Sequence, residues 1–560
     1  MESLLSTLES RRATVLLDSF DLCCNDYSVR SVPHEEQTDK YENENSDSDL
    51  RLLKTTSKKI TNSDALIRNS ARTTEKLPSM GAERDYPPNL PADLDQYLVA
   101  FDRYNDPMCP LNWSLKKKLL NSIATLSLPL AVQVGSSISS PSTDTVSKVF
   151  GVGHTVAVLS TSLYVFGFGG GPIFWGPLSE IYGRRPVFFA AGFGFLCFAF
   201  ATATAKDIQT LMICRFFSGF MGSAGAVATP SSLSDMFSKA ARSRYMTSFG
   251  LVLFGAPMIA PVMGGFTMKN SHLGWRWPLY FTGFWASVNF AIFILFYRET
   301  HHPTILVTKA EKLRRRTGNR AIYAAQEEVT LSFYEIGRYN ILRPLRMLMT
   351  EPILFSMSLY NAFMYGMLYL LLTAVTLVFG DRYQFSQGVV DLPYLALFIG
   401  ILMGCIIILV FDLSCVRKMR NYVPVLPEDR VPPMLVGSIL FPIGMFWFGW
   451  SGDFPEEVHW IVPMIGSSFI GAGLITIFLP CFTYIVDAYL PIAASALALN
   501  AFLRASLGGA FPLFATQMFS NMGIKWATTL IGCFSSLLIP IPLVFYFFGA
   551  SIRKRSKNAV

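Results

Sequence analysis

The sequence predicts an all-α membrane protein, twelve transmembrane helices in two six-helix bundles behind a disordered N-terminal tail. Three observations predict it. Only 15% of the 560 residues are charged while 51% are hydrophobic, against about 25% charged in soluble domains. Polar residues are segregated into the first 105 positions. After Lys118 the chain falls into apolar runs of the length that crosses about 30 Å of hydrocarbon.

The tail, 1–105, is rich in Ser, Asn, Asp, Glu and Thr, includes the run YENENSDSD, and lacks the apolar content for a core. Its start, MESLLSTLESRRATVLLDSF, has no uninterrupted apolar stretch of the kind a cleaved signal peptide needs. The first bundle, 106–297, has spans at 119–139, 154–175, 187–205, 209–233, 246–266 and 278–297. A cytosolic linker, 298–350, contains EKLRRRTGNR. The second bundle, 351–550, has spans at 352–378, 391–411, 433–450, 459–485, 494–518 and 526–548, and a basic tail, 551–560, follows.

The net charge of +8 does not signal nucleic acid, because the Lys and Arg residues sit in short stretches between apolar runs. The loops after spans 2, 4, 6 and 8 hold 2, 3, 10 and 4 of them, and the C-terminal RKRSK adds 4. The other side holds only Lys148, Lys206, Lys269, Arg276, Arg382 and Lys525. By the positive-inside rule both termini are cytosolic. Cys197, Cys214, Cys405, Cys481 and Cys533 lie in apolar runs and read as packing residues; Cys23 and Cys24 read as free thiols. The His301–His302 pair has no third ligand nearby, so no metal site and no cofactor is expected. There is no GxxxxGK[ST], HExxH or GxSxG, which leaves ATP-driven pumping and common hydrolase chemistry without support.

The halves echo each other. GPLSEIYGRR (176–185) closes span 2, and a degenerate copy, Asp412 through Arg417 and Lys418, closes span 8. Asp235 near the end of span 4 corresponds to Asp487 near the end of span 10. Parallel repeats of this kind belong to transporters whose substrate site lies between the halves near mid-membrane.

These motifs resemble the major facilitator superfamily. The loop with Gly176, Glu180, Gly183, Arg184 and Arg185 is similar to its signature loop, although the usual acid is Asp. The resemblance implies a conformational latch made by that loop with Asp235, echoed by Asp487, which holds the outward-facing state. LMICRFFSGFMGSAGA resembles the family's helix 4 motif, and GAPMIAPVMGGF resembles its antiporter motif, here Gly255, Pro257, Pro261, Gly264 and Gly265. DPMCPLNWS, YGRRP, GWRW, TEPILFSMSLYNAFMYGMLYL and YIVDAYLPIAASALALNAFLRASLGGAFPLFATQMF look like the fungal drug:proton antiporter branch, with its polyamine, multidrug and secondary-metabolite exporters. Departures from that branch are Thr373 in place of an acid in span 7, Lys148 in place of an outer acid, Cys109 in place of Asn, and RET at 298–300 in place of Pro–Glu–Thr.

Ionisable groups inside a membrane are expensive and mark pathways. Arg504 lies about 15 Å into its helix at 1.5 Å per residue, near mid-membrane, and Arg215 lies nearer the outer side. No carboxylate stands near the middle of any span, so the expected substrate is neutral or anionic rather than a polyamine. Tyr360, Asn361, Tyr365, Tyr369, Asn500 and Phe502 are candidates to complete the pathway, the two amides being the stronger because an amide facing lipid is costly. Proton coupling, implied by the resemblance, has Asp391 or Glu180 with Asp235 as candidates. The expectation is therefore a monomeric exporter of a small organic molecule by proton antiport in the cell membrane, with protons and lipid as its other partners. Proton-coupled nutrient uptake and a non-transporting receptor are the alternatives.

Overall fold

In a computed structural model of the chain, residues 97–102, 106–270, 272–328, 350–423, 425–489 and 493–556 are described. Most of the expected tail, with Cys23 and Cys24, and much of the linker lie outside the described residues.

Twelve helices among the described residues are long and apolar enough to cross a membrane. They are α1 (Leu115–Phe150, breaking after Ser137), α2 (His154–Ile181), α3 (Arg184–Ala203), α4 (Ile208–Met236), α5 (Ala240–Lys269), α6 (Trp277–Phe296), α7 (Pro352–Arg382), α8 (Tyr394–Arg420), α9 (Pro427–Gly452), α10 (Ile461–Ala488), α11 (Ala496–Met522) and α12 (Ile524–Lys554). Helices are the expected solution because lipid offers backbone amides no partner.

Several helices outrun their apolar segments. α2 continues through GPLSEI to Ile181 and α5 begins six residues before the expected start, at Ala240. Leaving the hydrocarbon does not end a helix; a backbone stop does. After α2 that stop is Gly183, at φ +92°, a conformation open to glycine and strained for other residues. The expected single span at 209–233 is broken at Ser223, and α12 is interrupted ahead of Pro540.

Packing repeats between halves. α1 on α5, α2 on α4, α3 on α4 and α3 on α6 in the first bundle correspond to α7 on α11, α8 on α10, α9 on α10 and α9 on α12 in the second. The α2–α4 approach uses Gly167 and Gly219, each of which faces the other helix's backbone carbonyl so closely that a Cβ would strike it. Gly400 and Gly471 make the same reciprocal contact between α8 and α10. Small residues at such crossings are how helices pack where lipid supplies no hydrophobic drive. The two bundles meet where α2 packs on α11 and α5 on α8. Burial sorts the helices: 83% of the apolar window is buried in α7 and in α10, against 33% in α6 and 28% in α12. Of the cysteines read as packing residues, Cys214, Cys405 and Cys481 are buried, whereas Cys197 and Cys533 are exposed on the peripheral helices α3 and α12.

A second compact unit takes in described residues 97–102, 106 and 306–325. The disordered tail expected to reach 105 is corrected here, since residues 97–102 are ordered. Val99 N–H donates to Tyr323 O at 3.0 Å and Tyr323 N–H to Tyr97 O at 3.1 Å. Tyr97 and Val99 are buried with Ala310, Leu313, Ile322 and Ala324. Lys309 Nζ is buried against Asp106 Oδ2 at 2.8 Å and Ala100 O at 3.0 Å. The stretch expected to be a plain polar linker holds a helix, His302–Thr317. Its apolar positions Ile305, Ala310 and Leu313 are buried while Glu311 and Arg315 are exposed, an amphipathic pattern obscured by the dense charge around it.

Candidate functional site

Arg504 is buried in α11 with no carboxylate beside it. Its guanidinium carbon lies 4.9 Å from the ring centre of Tyr365, 5.3 Å from Phe478 and 5.9 Å from Phe168, so rings of α7, α10 and α2 surround the cation. Its Nε has no hydrogen-bond partner. One turn before it, Asn500 is buried with its amide nitrogen unsatisfied, and one turn before Tyr365, Asn361 is buried with both amide atoms unsatisfied. Unmet polar atoms cost about 1–3 kcal/mol each when buried, and α7 packs along α11, so the two helices hold a cost that a bound polar molecule would relieve. Tyr365 and Tyr369 hydroxyls are 3.4 Å apart. Tyr360 is buried, but it sits about 100° around the helix from Asn361. Phe502, expected to complete the pathway, is 42% exposed. Thr373 is half-buried in α7.

Arg215 is placed differently. Its Nη1 donates to Gly135 O at 2.7 Å and its Nη2 to Ser139 Oγ, where α1 breaks and leaves carbonyls free. Its guanidinium carbon lies 5.5 Å from the Tyr164 ring, whose hydroxyl donates to Val132 O at 2.7 Å. Arg215 thus fastens α4 to the end of α1.

At the end carrying the basic loops, the latch residues come together only in part. Arg184 Nη1 donates to Ser179 Oγ at 2.7 Å, and its Nε lies 3.7 Å from Asp235. Glu180, expected to pair with arginine, has an exposed side chain, and Arg185 is exposed as well. The acid that organises the loop is Glu299 of the RET sequence. Its Oε1 accepts from the N–H groups of Arg184 (3.0 Å), Thr300 and His301 (both 2.9 Å), and its Oε2 accepts from Arg185 N–H at 2.9 Å. A carboxylate there satisfies the orphan donors at the start of α3. A Cβ on Gly183 would come within 2.7 Å of Glu299, a second reason for glycine. Gly176 has only Val227 near it.

His302 Nδ1 lies 3.9 Å from Asp235. Burial presses its pKa down, but contact with the Cys109 side chain and the Asp235 charge outweigh it and leave the imidazole above its ordinary value. Burial and the Arg184 charge push its neighbour His301 down to about 2.

The second half has the same design with different donors. In the degenerate copy, Asp412 pairs with Arg430 at 3.1 Å, and Lys418 pairs with Asp429 at 2.6 Å. Arg430 also reaches Asp487 at 3.4 Å, joining the ends of α8 and α10 through the start of α9. The cation is supplied by the next helix because α8 continues to Arg420, which carries Arg417 and Lys418 past the acid.

The α5 motif divides its work between two neighbours. Pro261 lacks the N–H that would cap the carbonyl of Pro257, and Ser137 Oγ of α1 donates to that carbonyl at 2.9 Å. Gly264 passes so close to Ile138 O of α1 that a Cβ would collide with it. Gly255 faces Phe398 of α8, and Gly265 faces Asp391, just before α8. Asp391 is 1% exposed, neither carboxylate oxygen has a hydrogen-bond partner, and burial pushes its pKa up to about 7.

The Major Facilitator Superfamily profile matches residues 126–512. The chain belongs to this superfamily. The "Major facilitator superfamily multidrug transporter FLU1" of Candida albicans is 50% identical over 514 residues, covering 92% of this chain and 84% of that one. "Multidrug transporter TPO1_1" of Candida glabrata is 44% identical over 482 residues, with 86% and 84% covered. "Citrinin biosynthesis cluster MFS transporter mrr1" of Monascus ruber is 39% identical over 477 residues, with 85% and 95% covered. Among solved structures, the proton:xylose symporter XylE aligns with a TM-score of 0.56 at 15% identity, covering 78% of this chain and 97% of that one. Human MFSD10 aligns with a TM-score of 0.52 at 16% identity, covering 78% and 100%; at this identity both show the fold alone. This facilitator is thus a multi-pass membrane protein of a transporter family.

Sequence reading missed Glu299, Arg430 and Gln133 as participants. Gln133 is buried in α1 with its amide nitrogen unsatisfied. The rule that selected Asn361 and Asn500, an amide within an apolar span, would have found it. The RET sequence draws attention to Glu299 without revealing its partners Arg184 and Arg185, which lie 115 and 114 residues away. Nothing in the facilitator's sequence pairs Arg430 with Asp412 or Asp487, 18 and 57 residues away.

Proposed function

We propose that the chain exports a small organic molecule, a neutral or anionic drug, toxin or secondary metabolite, by alternating access driven by inward proton flow. The observation that carries this reading is Arg504: a cation at mid-span, ringed by aromatic faces, with three unsatisfied amide atoms on the flanking turns of α7 and α11. A planar molecule bearing a carboxylate or carbonyl could stack on the rings and accept from the guanidinium and the Asn500 amide. The printed names of the Candida and Monascus relatives, multidrug and biosynthesis-cluster transporters, favour export over uptake. Asp235 and Glu180 at the basic end and Asp391 at the other are the candidate proton-coupling acids. The basic end faces the cytosol in this reading, with both termini inside, in the cell membrane, and a monomer suffices because both halves of the pathway come from one chain.

Export of fluorescein, an aromatic anion, from loaded proteoliposomes under an imposed pH gradient tests it. Arg504→Ala is expected to slow gradient-driven efflux at least about tenfold, the size of one lost charge-assisted contact, and Arg215→Ala to act through folding yield instead. Efflux by Arg504→Ala at the wild-type rate, or wild-type efflux indifferent to the gradient, defeats the proposal.

A further inference from the structure

Asp391 is a buried acid with no cation opposite it. It stands in the turn leading into α8, at the end of the molecule opposite the basic loops, and its Oδ2 occupies the space where a Cβ of Gly265 would be. The backbone there is built around this contact: Gly388, at φ +85°, lies against Gly265 O and the Lys269 side chain. No polar group among the described residues is within hydrogen-bond reach of its carboxylate. Tyr394 hydroxyl donates to Leu372 O of α7. Lys269 of α5 lies along Gly388. Arg215 of α4, the cation held at the break of α1, is committed to Gly135 and Ser139.

An ionised carboxylate sealed from water without donors is strongly disfavoured, whereas its neutral form is tolerated. The α5–α8 contact is also one of the two surfaces on which the bundles meet. We infer that Asp391 is a proton-operated seal: protonation lets α8 close on Gly265, and loss of the proton to water parts the bundles at this end. The inference rests on the alternating-access reading and adds to it the acid that reports the pH of the compartment on this side. Under that reading, external acid would shut the outer end after release and return the transporter to its loading state. A value near 7 for the closed state is in keeping with this.

The test needs no substrate. At the same end, Gln517 of α11 donates to Thr155 of α2 at 3.1 Å across the halves, and both side chains are accessible. Spin labels at Thr155→Cys and Gln517→Cys, in the full chain with other accessible cysteines replaced by serine, report the separation in nanodiscs. Measurements at about pH 5 and about pH 9 bracket the titration. The expected result is a short distance in acid and a longer one in alkali. Asp391→Asn is expected to hold the short distance at both values, and Gly265→Ala, which pushes a methyl group into the carboxylate, the long distance at both. A wild-type distance that ignores pH, or an Asp391→Asn chain that opens with alkali as the wild type does, overturns the inference. Gradient-driven fluorescein efflux, measured in parallel, separates this failure from failure of the antiport reading.

Discussion

The basic end of the molecule and the turn leading into α8 treat their acids in opposite ways. At the basic end, Asp235 has Arg184 and His302, Asp412 and Asp487 share Arg430, and Glu428 has Arg553 at 2.9 Å. In the turn before α8, Asp391 is buried and has no partner, although Asp453 at the same end pairs with Arg382 at 3.2 Å. Acids paired with guanidinium groups hold helix ends together, while burial without a cation favours the protonated form of Asp391. The two buried arginines also differ: Arg215 donates through both Nη atoms to the end of α1, whereas Arg504 is ringed by Tyr365, Phe478 and Phe168.

The largest effect that could break this comparison comes from Arg430→Met. It strands two acids at once and is expected to cost about 3 kcal/mol, seen as a lower midpoint of thermal unfolding followed by tryptophan fluorescence in detergent. Asp391→Asn should not lower that midpoint near neutral pH. The native carboxyl holds its proton up to about 7 while the unfolded one releases it near 3.8, so wild-type stability falls as pH rises between these values. The amide variant should lack that slope. If Asp391→Asn were the more damaging of the two, the distinction between paired and unpaired acids would collapse.

Next in size is Glu299→Gln. A neutral amide oxygen accepts less strongly than the carboxylate that now serves four N–H groups, and the expected loss is about 2 kcal/mol. Replacement of the exposed Glu180 by Gln should leave the midpoint within about 0.5 kcal/mol of wild type. Reversal of this order would return the organising role to the signature-loop acid.

The smallest effect belongs to His302. Its folded value lies above the ordinary 6.5, so its contribution is fully present below about 6.5 and is lost as pH rises through the raised value. The midpoint difference between wild type and His302→Gln should be greatest in mild acid and vanish in alkali. His301, pressed low in both proteins, cancels from the comparison.

The twelve spans, their grouping by six and the internal echo were legible in the residues because crossing lipid imposes a length and an apolar composition on every span, a local requirement that a reader can count. Arg504, Asn361 and Asn500 were legible for the same reason: polarity within such a run is conspicuous wherever the side chain points. What only the tertiary structure decided was partnership. Glu299 rather than Glu180 holds the start of α3, Arg430 of the next helix meets Asp412, and residues 97–99 pair with Tyr323 instead of trailing free. Charges at helix ends all look alike along a chain, since any of them could sit in water. Which ones are brought within 3 Å of an opposite charge, and which acid is left without one, depends on how far each helix runs before it turns and which neighbour it then meets.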